Sequence, residues 1–109
     1  MKVSEYITAL GAKIVSSADT DNEITGCCVC DLLSLVMSKA GEGDAWITVQ
    51  GNVNVAAVAV LTGCACVVIA DGMKADEPLT LRAQQQKITL LETEMNAYEA
   101  AKILARSGI

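Results

Sequence analysis

The stretch Ile24-Thr25-Gly26-Cys27-Cys28-Val29-Cys30-Asp31-Leu32-Leu33-Ser34, followed after a short gap by Gly43-Asp44-Ala45-Trp46-Ile47-Thr48-Val49-Gln50, decides how the chain is read. Ile24 to Cys30 is an apolar run of strand length. Behind it, Leu32, Leu33, Val36, Met37 and Ala40 recur at helical spacing, with Asp31 placed to cap the helix. Gly41 to Asp44 makes a turn, and Ala45 to Val49 is a β-branched run containing the only Trp. Strand, helix, strand in this order is the signature of a parallel crossover unit.

The unit extends in both directions. Downstream, Gln50-Gly51-Asn52 interrupts the pattern before the nearly all-apolar Val53 to Leu61, a helix expected to be buried on most sides. Thr62-Gly63 ends it. Cys64 to Ala70 is a continuous apolar run, as in a parallel strand covered on both faces, and Asp71-Gly72 closes it. Asp76-Glu77-Pro78 starts a helix running to about Gln86, and Ile88 to Leu91 is another strand. Asn96 with Glu99 has capping-box spacing for a last helix to about Arg106, with Thr93 an equal candidate for the cap. Upstream, Ser4 is the expected cap of a helix ending at Leu10, Gly11 suits the left-handed closing position, and Lys13 to Val15 forms a short strand before the polar loop 16–23. The expectation is an α/β layered sandwich: a mostly parallel central sheet of about four to five strands flanked by helices, as a single domain over residues 1–109.

Composition narrows the function. The chain is 52% hydrophobic but only 3% aromatic, so Ala, Val, Ile, Leu, Met and Cys must fill its core. A mean hydropathy of +0.41 is high for a solitary small domain and points to a homo-oligomer. The net charge is −5 and the eight basic residues are scattered, which argues against nucleic acid as a partner. No apolar stretch approaches the roughly 20 residues of a membrane helix, and no signal peptide is evident. Five cysteines without a secretory signal fit free thiols in a reducing, cytoplasmic setting.

No histidine is present, which removes the usual general base and the Ser-His and Cys-His nucleophile pairs. Neither the GxxxxGK[ST] nor the GxGxxG phosphate cradle occurs. No catalytic constellation is read, no cofactor is expected, and no metal ligands are assigned. Alternation places Cys28 with Cys30 on one strand face and Cys64 with Cys66 on one face of another. Should those faces coincide, four thiols gather into a metal or redox site; otherwise cysteine serves as a small core residue.

Ligands of open α/β sheets bind beyond the carboxyl ends of the strands. Four such places exist: Cys30-Asp31, Gln50 to Asn54, Asp71-Gly72 and Glu92-Thr93. The second is the most suggestive, because Gln50, Asn52 and Asn54 set neutral amides between a strand and a buried helix, suited to a nucleobase, sugar or carboxamide. The plainer reading is that Asn52 or Asn54 caps that helix. Asp31 and Asp71 could pair as carboxylates, or could each finish a turn or cap a helix.

The string Glu23-Ile24-Thr25-Gly26-Cys27-Cys28-Val29-Cys30-Asp31-Leu32-Leu33-Ser34, with Gly43 to Gln50, Asn54 to Ala59 and Leu91-Glu92-Thr93, resembles the DRTGG domain family across nearly the whole chain. The namesake motif is degenerate: Thr25-Gly26 match, whereas Glu23, Ile24 and Cys27 replace its Asp, Arg and second Gly. The resemblance implies a fold like the N-terminal domain of HPr kinase. It also implies an accessory module, found alone or within phosphotransacetylases and regulatory pyrophosphatases, that dimerises and senses a ligand without catalysing a reaction. Expected site residues are Thr25, Gly26, Asp31, Gln50, Asn52, Asn54 and Thr93. The expected function is a non-enzymatic regulatory domain, a homodimer sensing a nucleotide-like ligand or a metabolite. The alternatives are an assembly module for a redox or acyl-phosphate enzyme, and a thiol-based metal or redox protein.

Overall fold

A computed structural model describes residues 1–109. The continuous apolar run becomes β4 (Cys66–Ile69), buried at every position, and the Trp-bearing run becomes β3 (Asp44–Thr48) beside it. β2 (Gly26–Val29) pairs parallel with β3 on one side, and β5 (Leu90–Glu92) pairs parallel with β4 on the other. β1 (Lys13–Ser16) adds to β5 antiparallel, giving a five-stranded sheet in the order β1-β5-β4-β3-β2. The expected layered, mostly parallel α/β architecture is what forms.

Two cores follow from strand alternation. Ala45, Ile47, Cys66, Val68 and Leu91 face α1 (Val3–Leu10) and α5 (Ala97–Arg106), whose Val3, Tyr6, Leu10, Ala100 and Leu104 complete that layer. The Tyr6 hydroxyl donates to the Ala100 carbonyl at 2.9 Å, so this buried phenol leaves no unpaired polar group. Trp46, Val67, Ile69 and Leu90 face the other way, against α2 (Leu33–Lys39), α3 (Asn54–Thr62) and α4 (Glu77–Gln85). There the Trp46 indole N–H donates to the Cys30 carbonyl at 2.9 Å.

Several local expectations change. Asp31 does not cap α2: Leu32 occupies the N-cap with no side-chain bond, and the Asp31 carboxylate turns towards β3 instead. α1 begins at Val3 rather than after a Ser4 cap, with Glu5 accepting the Lys2 N–H at 2.8 Å. Asn96, not Thr93, caps α5, in the reciprocal pairing with Glu99 that the spacing implied. Gly11 closes α1 at φ 59, as expected. The apolar helices are less covered than their composition suggested. In α3 the buried side is Val55, Ala56, Val58 and Ala59, while Val60 and Leu61 are exposed; in α2 only Val36 is fully buried, and Leu35 and Met37 are exposed, as is Leu32 at its N-cap. A single helical layer on each sheet face covers the sheet, and nothing within the chain covers the outer side of that layer.

Candidate functional site

The carboxyl ends of β2, β3, β4 and β5 form one polar margin. At its β2–β3 end the Asp31 Oδ1 accepts from the Thr48 hydroxyl and from the Val49 N–H, both at 2.9 Å. The Gln50 amide donates to the Asp31 carbonyl at 3.1 Å, the Asn52 amide donates to the Gln50 Oε1 at 3.2 Å, and the Asn52 Oδ1 accepts the Asn54 N–H at 3.0 Å. The result is a shelf whose members hold one another in place. Its remaining capacity lies in the second carboxylate oxygen of Asp31, the spare N–H of Gln50 and Asn52, and the exposed Asn54 amide. The N-cap position of α3 is Val53, without a side-chain bond, so neither Asn52 nor Asn54 takes the expected cap position; Asn52 instead accepts the N–H of the first helical residue, Asn54, while belonging to the shelf.

The margin continues through backbone. Gly51 packs so closely on the loop after β4 that an added Cβ would collide with the Lys74 carbonyl oxygen, and the Gly51 carbonyl accepts the Asp76 N–H at 2.8 Å. Beyond Lys74 stands Glu92, at the end of β5. One carboxylate oxygen accepts the Ala75 N–H at 2.8 Å; the other is buried without a hydrogen bond, 3.8 Å from the Lys74 ammonium. Sequence reasoning passed over Thr48 and Glu92 as individual residues. The available signal was Glu92 itself, a charged residue ending an apolar strand, since buried carboxylates are uncommon and call for partners.

The other nominated residues lie apart. Thr25 and Gly26 stand at the amino end of β2, the opposite margin of the sheet: Thr25 donates its N–H to the Gly43 carbonyl at 2.9 Å, and a Cβ on Gly26 would strike the Asp44 carboxylate. Both residues fit β2 against the turn that opens β3. Thr93 is buried, donating its hydroxyl to the Leu10 carbonyl at 3.0 Å and accepting the Met95 N–H at 3.2 Å. Asp31 and Asp71 end strands separated by β3, which sets them about 10 Å apart at two strand spacings.

The four cysteines do not gather. Cys66 belongs to the α1/α5 core, whereas Cys28, Cys30 and Cys64 pack on the opposite face. Cys64 lies ahead of β4, where strand alternation does not apply, so its sharing a face with Cys66 is overturned. No three of the Cys, Asp and Glu side chains converge as metal ligands. Burial pushes the Cys64 thiol up to about 11 and raises Cys66 further, which keeps both protonated and unreactive at neutral pH.

The concave surfaces lie elsewhere. A cavity of about 210 Å³ opens at the amino margin among Asn22, Glu23, Glu42, Gly43, Gly63 and Cys64, with a neighbour of about 240 Å³, and a groove of about 280 Å³ runs between α3 and α4. None is lined by a nominated residue. The shelf remains the better candidate because its polar groups converge, whereas the groove is mostly aliphatic and the first cavity presents carboxylates, one of them occupied by the N-terminal ammonium.

The DRTGG domain family model matches residues 5–107. The chain belongs to the DRTGG domain family. No curated protein sequence matches it. Among solved structures, it is similar to the CBS and DRTGG domains of the regulatory region of Clostridium perfringens pyrophosphatase, complexed with the activator diadenosine tetraphosphate. The TM-score is 0.73 at 13% identity, over 97% of this chain and 46% of that one, so this DRTGG domain spans about half of the solved region. At that identity the likeness concerns the fold. Within the family, the Thr-Gly pair of the namesake motif acquires a physical reading here: it seats the edge strand on the Gly43-Asp44 turn.

Proposed function

We propose that this chain, as one domain over residues 1–109, is a regulatory, non-catalytic DRTGG domain that pairs with a second copy of itself and senses a small hydrogen-bonding ligand at the shelf of Asp31, Gln50, Asn52 and Asn54. Family membership over residues 5–107 is the observation that carries this reading. The related regulatory region's activator supplies the ligand class, a nucleotide. Amides and one carboxylate beside a strand end suit the base or ribose of such a ligand better than its phosphates, since the shelf itself carries no cation: Lys74 and Lys13 stand farther along the margin, beside Glu92. Thr25, Gly26 and Thr93 act by holding the scaffold. The partner in the cell is a metabolic or redox enzyme. No helix is long and apolar enough to cross a membrane, and five free thiols suit a reducing, cytoplasmic compartment.

A thermal-shift screen across adenosine, AMP, ATP, diadenosine tetraphosphate and acetyl phosphate tests the sensing role. A ligand at a hundredfold excess over its Kd stabilises by about 2.7 kcal/mol, a rise of roughly 10 °C in Tm for a chain of this size. Absence of any rise at millimolar ligand counts against sensing. The second reading, assembly without a ligand, draws support from the exposed Leu32, Met37, Leu61 and Leu81, and it retains the homodimer when the screen is blank.

A further inference from the structure

The two edges of the sheet are built differently. β1 opens with Lys13, and its register with β5 breaks between Ile14 and Ser16, so a charge and a bulge interrupt that outer ladder. β2 has neither safeguard. Gly26 to Val29 contains no charged residue and no proline, and it runs in unbroken register against β3 from Gly26 opposite Asp44 to Val29 opposite Ile47. Cys30 donates its N–H to the Ile47 carbonyl at 3.2 Å. Alternate residues of a parallel strand face its partner, so Gly26 and Cys28 also point inward, and the N–H and C=O groups of Cys27 and Val29 point out from the sheet. The N-terminal segment that runs alongside stops short: Lys2 bridges Glu23, and Ile24 donates to the Met1 carbonyl. Val29 is 53% exposed and Leu32, just beyond it, 62%.

We infer that β2 is the edge through which two copies of this chain associate, pairing antiparallel about a twofold axis at Cys28 and joining their two sheets into one. The inference rests on the homodimer reading above and names its surface. A second copy suits the edge because twofold pairing is self-complementary. Cys27 meets Val29 of the second copy in both directions, so the outward backbone groups of both residues are satisfied at once. Cys28 then faces Cys28 of the second copy as a non-hydrogen-bonded pair, with Cα atoms about 4.5 Å apart, inside the span of a disulfide.

Light scattering on the reduced protein tests the edge, with a cysteine crosslink to test the register. Wild type is expected to be a dimer. Cys27→Lys with Val29→Lys places lysines directly opposite each other in both pairs and is expected to abolish the dimer while the chain still melts cooperatively, at a Tm that no longer depends on protein concentration; Leu61→Lys, on the outer side of α3, is expected to leave it intact. Diamide, which accepts two electrons and two protons from a thiol pair and is reduced to its hydrazine, is expected to yield a disulfide-linked dimer that persists in Cys27→Ser and is lost in Cys28→Ser. A double-lysine variant that remains dimeric overturns the β2 edge while the homodimer stands. A crosslink surviving Cys28→Ser overturns the register, and a wild-type protein monomeric at every concentration removes the homodimer together with its edge.

Discussion

Asp31 shows how one side chain can serve the fold and the candidate site together. Its Oδ1 holds the Thr48 hydroxyl and the Val49 N–H, and thereby fixes the segment that carries Gln50. Asp31→Ala leaves both donors without this partner and is expected to cost about 1–3 kcal/mol in urea unfolding. Asp31→Asn keeps an acceptor and costs less. The thiols carry the pH dependence. Burial, before any neighbouring charge, holds Cys64 near 11 in the folded state against an ordinary 9.0. The unfolded chain therefore ionises first as pH rises: the stabilisation is complete below pH 9.0 and is lost towards about pH 11. Thermal melts across that window should show the fall, and Cys64→Ala should lessen it, with burial of the Cys27, Cys28 and Cys66 thiols sustaining the remainder. The sequence suggested a cap for Asp31 because capping preference is local, whereas its partners, Thr48 and Val49, come from a strand that is distant along the chain. Cys64 and Cys66 went astray for a related reason: alternation holds only inside a strand, and β4 begins at Cys66.

At the level of elements, the signals that survived folding were those that need no knowledge of neighbours. The unbroken apolar run gave β4, the Asn96–Glu99 spacing gave the start of α5, and Gly11 and Gly63 closed α1 and α3 in the left-handed region. Asn96→Ala is expected to cost about 1 kcal/mol, read as a lowered urea midpoint at constant slope. Helix coverage was not legible, because periodicity reports a helix and its apolar side but not whether anything stands against that side. The shelf was legible in Gln50, Asn52 and Asn54, which are adjacent in the chain and beyond one strand end. Its separation from Thr25 and Gly26 follows from strand direction, since residues before and after a parallel strand lie at opposite margins. Gly51→Ala tests the coupling of the shelf to the loop after β4. The added Cβ meets the Lys74 carbonyl, with an expected cost of about 1–3 kcal/mol in unfolding.

Across the whole molecule, the sheet order sorts its two margins into different tasks. The amino ends carry the Thr25-Gly26 packing and the cavities, while the carboxyl ends carry a connected row of polar groups from Asp31 through Gly51 to Glu92. The bare β2 edge lies beside the Asp31 end of that row. Ligand binding at the shelf and pairing at β2 are consequently expected to influence each other through Cys30-Asp31. A sensing surface at the carboxyl margin places the ligand on Asp31 and Gln50, away from the cavities of the amino margin. Amide chemical-shift mapping during titration with AMP and diadenosine tetraphosphate tests it most directly. Saturable shifts centred on Asp31 and on Thr48 to Asn54, lost in Gln50→Ala with Asn54→Ala, are the expected result. Shifts centred on Asn22, Glu42 and Cys64, or no saturable shifts at all, would contradict it.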